Sequence, residues 1–325
     1  MANQMKLNKA VQILREGGLV AFPTETVYGL GADASNPQAL AKIFAAKERP
    51  VNHPLIVHVG STEQLSDWAL EISEQAQLLA AAFWPGPMTL IFKKKSHCPD
   101  LLTGSQETIG IRIPQHPLAL SLLNAFGGGI AAPSANRFGR ISPTTALAVA
   151  EELGSSVDLI LDGGQCAVGV ESTIIDVSGA TPAVLRPGMI TVPQIEKVLQ
   201  EKIFSTGENS PRVSGSHESH YAPCTPSMLV NAAAILEEIA MLPVQDFPLV
   251  VLTREKFTGT YQDVEFIKMP EDAKQYAHDL YATLRACDRK EFRCIVIAAV
   301  PDGAVWDAVR DRLQRACGKK LLPLS

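Results

Sequence analysis

Lys47 and Arg49 stand two apart in AAKERPVNHPLIVHV, and Pro50 stiffens the exit. Two cations at that spacing could hold a polyphosphate, the arginine as a planar fork and the lysine as a point charge. A solvated loop carrying the same two charges is the other reading, and the stretch alone favours it. His53 and His58 follow in the same run. A second group gathers Ser134, Asn136, Arg137, Arg140, Ser142 and Thr144 in GGGIAAPSANRFGRISPTTA, where a strand ends at Pro133 and a broken loop leads into a helix. Ser142-Pro143 reads as a helix cap and first-turn proline. Because a helix N-terminus also attracts anions, capping and binding remain open together. A third group lies in LVAFPTETVYGLG, which leaves an apolar run at Pro23 and crowds Thr24, Glu25, Thr26 and Tyr28 ahead of Gly29 and Gly31. Hydroxyls and a carboxylate at a strand end either satisfy local backbone groups or line a cleft for a ligand with several polar atoms.

Further candidates are Glu171, Ser172 and Thr173 in GVESTIID and Arg186 in LRPG. Neither Ser134 nor Ser172 stands in a G-x-S-x-G elbow, which disfavours covalent serine catalysis. His217, His220 and Cys224 could share a zinc ion. Without a second cysteine pair the signature is weak, and a flexible linker is the preferred reading.

Elements must position these residues. Leu7, Ala10, Val11 and Leu14 follow helical spacing, and Gly17-Gly18 stops that helix before a strand at residues 19–22. Asn36-Pro37 reads as the cap of a second helix that frays at KERP, so Lys47 and Arg49 are expected on a loop. Strands are expected at PLIVHVG, MTLIF, TIGIRIP, GGIAAP, DLILDG, STIIDV and AVLRPG, with helices around residues 73–83, 116–125 and 143–153 and a closing helix in TVPQIEKVLQ capped by Thr191. Strands in runs, irregularly mixed with helices, predict an α/β (α+β) fold with a mixed twisted sheet. Residues 205–223 turn to Ser, Gly, Pro and His. Three further strands, FPLVVLT, VEFIKM and CIVIAAV, and helices around residues 230–241, 271–288 and 303–316 then make a small α/β domain without a GxGxxG or Walker signature. The expected division is residues 1–202, a linker at 203–226, and residues 227–325.

With 325 residues and 46% hydrophobic composition, the chain can bury a sizeable core, more comfortably as two domains than one. A formal charge of −5 gives no global basic excess for nucleic acid or an anionic membrane, although a local basic patch stays open. The N-terminus lacks an apolar signal region and no stretch is long enough to span a membrane, so a cytoplasmic protein is expected. Six scattered cysteines without a CxxC pair suit reduced thiols.

Six stretches, taken in order, resemble the YrdC-like threonylcarbamoyl-AMP synthases: PTETVYGLG, KERPVNHPLIVHV, IGIRIP, APSANRFGRISPT, GVESTIID and LRPG. SHYAP at Ser219 to Pro223, followed by an α/β tail, resembles the longer two-domain form of that family. The resemblance implies a YrdC-like twisted mixed sheet with flanking helices, plus a small C-terminal Rossmann-like domain. It implies a nucleotidyltransferase that joins L-threonine, bicarbonate or carbon dioxide, and ATP into threonylcarbamoyl-AMP and pyrophosphate. The product would supply a separate transferase that builds N6-threonylcarbamoyladenosine in tRNA. By motif position, Thr26, His58, Arg112, Ala132 through its backbone, and Ser172 would face threonine. Arg49, His53, Thr108, Ser134, Asn136, Ser142, Arg186 and Tyr221 would face ATP, with Lys47 and Arg49 the catalytic pair. Mg²⁺ would arrive on the nucleotide phosphates, with no dedicated metal ligands assigned. An arginine on a strand such as IGIRIP is otherwise a solvated edge residue, so Arg112 rests on the resemblance. In place of the Lys or Arg that some members carry before the His-Tyr pair, this chain has Glu218 and Ser219. Phosphate contacts from the linker are thereby in doubt, while the linker is expected to close as a lid that excludes water. Two other classes are an RNA-binding module with weak RNA contact, and a carbamoyl-transfer enzyme with another acceptor.

Overall fold

The structure is a computed structural model that describes residues 2–205, 210–215, 220–257 and 261–318. Two compact units divide the chain: Met1–Phe138 with Ser142–Ser216, and Gly139–Ile141 with His217–Ser325.

In the first unit the strands are β1 (Val20–Phe22), β2 (Gly29–Asp33), β3 (Ile56–His58), β4 (Met88–Lys93), β5 (Thr108–Arg112), β6 (Ile130–Ala131), β7 (Leu159–Ile160), β8 (Thr173–Asp176), β9 (Ala183–Arg186) and β10 (Phe204–Ser205). They form one mixed sheet in the order β10-β9-β8-β4-β5-β3-β6-β2-β1-β7. β3 and β5 are parallel, whereas β6 runs antiparallel to both β3 and β2. Successive residues of a strand face opposite sides, and the two cores follow that rule. Val20 and Phe22 join Leu7, Val11 and Leu14 of the helix Ala2–Arg15. Ala21 joins Leu40, Ile43 and Phe44 of the helix Pro37–Lys47 on the other face. That second helix starts where Asn36 accepts from the Gln38 and Ala39 amides.

β2 and β10 were not anticipated from the sequence. GLGAD offers two glycines where a strand usually carries branched side chains, yet Gly29–Gly31 pairs with β1 and Ala32–Asp33 with β6. The glycine is there for closeness: a Cβ on Gly31 would stand 2.9 Å from the Phe22 ring and 3.0 Å from the Val20 carbonyl. Two further expectations shift by a few residues. Lys47 is the last residue of its helix, not a loop residue, and Glu48 closes that helix at φ 52°. The helix expected from residue 143 starts at Ala146, capped by the Thr145 hydroxyl on the Ala148 amide.

The second unit holds β11 (Ser227–Val230), β12 (Leu249–Thr253), β13 (Val264–Lys268) and β14 (Cys294–Ala298), all parallel in the order β11-β14-β12-β13. Central strands β12 and β14 are buried at every position, as expected for a sheet covered on both faces. β11 was not anticipated either; it ends where a helix was expected from about residue 230, and that helix runs only from Ile235 to Ala240. The short apolar run Met228–Val230 cannot be told from a helix start by period alone. Gly139–Ile141 belongs to this unit through Ala222 N–H to Gly139 O at 2.9 Å, Arg140 to Asp288 at 3.0 Å and Arg285 to Ile141 O at 2.7 Å.

The expected linker at residues 203–226 divides between the units. Residues 210–215 fold onto the first, where Val213 enters an apolar niche with Ile91 and Ile174. His217, Glu218 and Ser219 lie outside the described residues. All six cysteines are free thiols. Among the described residues no helix is long and apolar enough to cross a membrane.

Candidate active site

The register of β3 and β5 pairs His58 with Arg112, so two chemically active side chains share one place in the sheet. Both are buried. The turn between β1 and β2 supplies the next group. Thr24 closes that turn on itself, its hydroxyl accepting from the Thr26 and Val27 amides and donating to the Val27 carbonyl. Local backbone satisfaction thus accounts for Thr24, and it does not account for its neighbours. Glu25 and Thr26 turn to Arg112: the guanidinium donates to Thr26 Oγ1 at 2.9 Å and lies 2.7 Å from Glu25 Oε1. Arg112 Nε reaches Gly86 O at 3.3 Å.

Burial moves the His58 pKa down to about 3, with the positive charge of Arg112 adding to the effect. The imidazole is therefore neutral near pH 7. It can offer one N–H donor and one acceptor, but no positive charge. Ser172 is also buried, its hydroxyl 2.8 Å from Thr89 Oγ1 and 3.1 Å from Arg186 Nη2. Ala132 is buried next to Gly29, where an added Cβ would stand 3.1 Å from the alanine methyl.

The cations of the nucleotide assignment come from three elements. Arg186, at the end of β9, donates through Nε and Nη2 to Ser172 O and through Nη1 to Ser214 O. Arg49 donates to Pro54 O and to Ser214 Oγ, and its guanidinium lies over the Phe138 ring at 5.9 Å. His53 meets the same ring edge-on at 5.1 Å. Lys47 points inward, its Nζ 2.5 Å from both Ser134 O and Asn136 O, while its own carbonyl accepts the Phe138 amide. Burial and the nearby Arg49 charge hold its pKa well below the usual lysine range. The lysine thus grips the loop that carries Ser134 and Asn136 at three points.

Ser142 is buried and donates to Glu171 Oε1 at 2.6 Å. It caps no helix. Thr108 opens β5 and lines a small niche with Val213 and Ser214. Tyr221 lies in the second unit at φ 64°, its ring stacked on Tyr281 at 5.8 Å and facing the Arg312 guanidinium at 5.2 Å. Sequence reasoning named Glu25 and Glu171 within their motifs but assigned neither to threonine or to ATP. The available signal was their type: a carboxylate inside an apolar strand end needs a partner once buried. Among the described residues no group of three or more His, Cys, Asp or Glu side chains is placed to hold a metal ion.

The family model Sua5_yciO_yrdC, described as Telomere recombination, matches residues 12–188, and Threonylcarbamoyl-AMP synthase, C-terminal domain, matches residues 190–318. The chain belongs to the Sua5/YciO/YrdC family. Within this family it is 38% identical to the threonylcarbamoyl-AMP synthase of Pyrococcus abyssi over 98% of this chain and 96% of that one. Identity to the Bacillus subtilis threonylcarbamoyl-AMP synthase is 40% over 98% and 95%. The crystal structure of P. abyssi Sua5 complexed with L-threonine superposes with a TM-score of 0.88 at 38% identity, covering 96% of this chain and 94% of that one. The mixed sheet and two-domain architecture are thus those of a two-domain member of the family.

Proposed function

We infer that this chain is a threonylcarbamoyl-AMP synthase, an ATP-using transferase that forms threonylcarbamoyl-AMP from L-threonine, bicarbonate or carbon dioxide, and ATP. The observation that carries the reading is likeness to synthases over nearly the whole chain, including one whose structure is complexed with L-threonine. The buried group around Arg112 is what such a substrate requires. A guanidinium fork pairs with the threonine carboxylate, and the hydroxyls of Thr26 and Ser172 and the neutral His58 imidazole supply uncharged hydrogen bonds for the rest.

The chemistry divides between two ends of the site. An unprotonated threonine amine attacks carbon dioxide, a carbamate oxygen attacks the α-phosphorus of ATP, and pyrophosphate leaves. Charge gathers on phosphate oxygens, where Arg49 and Arg186 stabilise it from fixed positions and Lys47 holds the Ser134–Asn136 loop in place. Mg²⁺ enters as part of the Mg–ATP substrate. His53, Thr108, Ser134, Asn136 and Ser142 would complete the nucleotide contacts, with Ala132 contributing its backbone on the threonine side. The reactive product would then pass to a transferase acting on tRNA.

Pyrophosphate release by the purified chain with Mg–ATP and bicarbonate tests the reading. Release is expected to need both bicarbonate and L-threonine and to fall sharply with L-serine. Release that ignores the amino acid would overturn it.

A further inference from the structure

Neither the turn nor the phosphate cations account for Glu25. Its side chain is buried, Oε1 lies 2.7 Å from Arg112 Nη2, and Oε2 accepts the Gln115 amide at 3.0 Å. Its own carbonyl accepts the Val168 amide at 2.7 Å. A carboxylate fixed at both ends cannot swing away when a ligand arrives. Arg112 spends its other nitrogens on neutral oxygens, those of Thr26 and Gly86, and His58 beside it carries no charge near pH 7. The other buried carboxylate nearby in sequence to Ser172 is Glu171, which accepts from Ser142. The charged groups joined at Arg112 are thus one positive and one negative.

We propose that Glu25 is the specificity-determining residue of the amino-acid pocket, receiving the α-ammonium of a ligand whose carboxylate engages Arg112 in the initial complex, before that nitrogen loses its proton for attack on carbon dioxide. The pair then admits a zwitterion and rejects a carboxylate that lacks the amine. A plain carboxylate would set two buried anions against one guanidinium, whereas an α-amino acid brings a partner for each resident charge. The proposal rests on the amino-acid pocket inferred above and deepens it from a site for threonine to a rule for what may replace threonine.

Titration calorimetry of the full-length chain without ATP tests it, comparing L-threonine with its 2-hydroxy analogue, in which a hydroxyl replaces the amine. The unaltered chain is expected to prefer threonine by about tenfold or more. Glu25→Gln keeps the volume and an acceptor for the Gln115 amide. It is expected to weaken threonine by about tenfold while leaving the hydroxy analogue no weaker or tightening it, because one of the two opposed anions is gone. Equal weakening of both ligands, the result of a merely structural role, would overturn the proposal, as would an undiminished preference in the variant. A chain that binds both ligands alike removes Glu25 alone, whereas one that binds neither removes the amino-acid pocket as well. Should Glu25→Gln show no cooperative thermal transition, Glu25→Asp sets the carboxylate back by one methylene. A preference that it leaves unchanged would also overturn the assignment.

Discussion

Lys47, proposed here as needed for turnover, does not offer its charge freely to a substrate. Its amine is bound to two carbonyls of the Ser134–Asn136 loop and is buried beside Arg49. Lys47→Ala is expected to abolish pyrophosphate release. Lys47→Met, which keeps the length and apolar bulk but no donor, is expected to do nearly the same. A Met variant with full turnover would remove the amine from the mechanism. His58 makes a prediction of a different kind. Its folded pKa of about 3 lies below the ordinary histidine value of 6.5, so the unfolded chain binds the extra proton first. Stability from this group is complete above the unfolded value and is lost as pH falls from there toward the folded one. The slope is about 1.4 kcal/mol per pH unit, or roughly 2 kcal/mol between about pH 7 and about pH 5. Urea unfolding of the chain and of His58→Gln at both pH values checks this: the variant should lose less stability on acidification. Equal losses would show that the imidazole is not held neutral in the fold.

At the scale of elements, Ser142 and Thr145 separate capping from site chemistry. Thr145 satisfies the Ala148 amide at the start of the helix Ala146–Leu153, whereas Ser142 points to Glu171. Thr145→Ala is expected to cost about 1 kcal/mol of stability with the ATP dependence of turnover intact. Ser142→Ala is expected to raise the KM for ATP at least severalfold and leave the KM for threonine nearly unchanged. Chemical denaturation and steady-state kinetics on both variants separate the two roles, and a Ser142 variant with normal KM for ATP would return that serine to a structural part. The same pair shows what sequence could and could not reveal. Serine before proline has the right types for a cap, and only the chain path three residues further decides which hydroxyl is used. Strands β3, β5 and β8 were legible because apolar runs bounded by turns carried them. β2 was not, because Gly31 serves a close approach to Phe22 and Val20, and Gly29 one to Ala132, that no local pattern encodes. Glu25 and Arg112 lie far apart in sequence, so their pairing depends on a register that periodicity does not supply.

For the whole molecule, the telling segment is residues 210–215, which lead toward the second unit and yet fold as part of the first. Gln106 exchanges hydrogen bonds with the Arg212 backbone, Val213 is buried, and Ser214 receives both Arg49 and Arg186. The segment therefore lies across the two arginines assigned to phosphate. Such a strap has to give up those hydrogen bonds, or share them, when a polyphosphate takes the guanidiniums, and Val213 is the apolar anchor that would bring it back. Water excluded by the returning strap could not hydrolyse the acyl phosphate product. Val213→Asp puts a charge into the niche of Ile91 and Ile174 and should release the strap, because an unpaired carboxylate is strongly disfavoured there. The expected outcome is pyrophosphate release within about twofold of the unaltered chain, at saturating ATP, with a product half-life shortened severalfold. Following both pyrophosphate and surviving threonylcarbamoyl-AMP over time distinguishes loss of catalysis from loss of protection. An unchanged half-life in a folded Val213→Asp chain would mean that the strap docks on the arginines without shielding what they help to make.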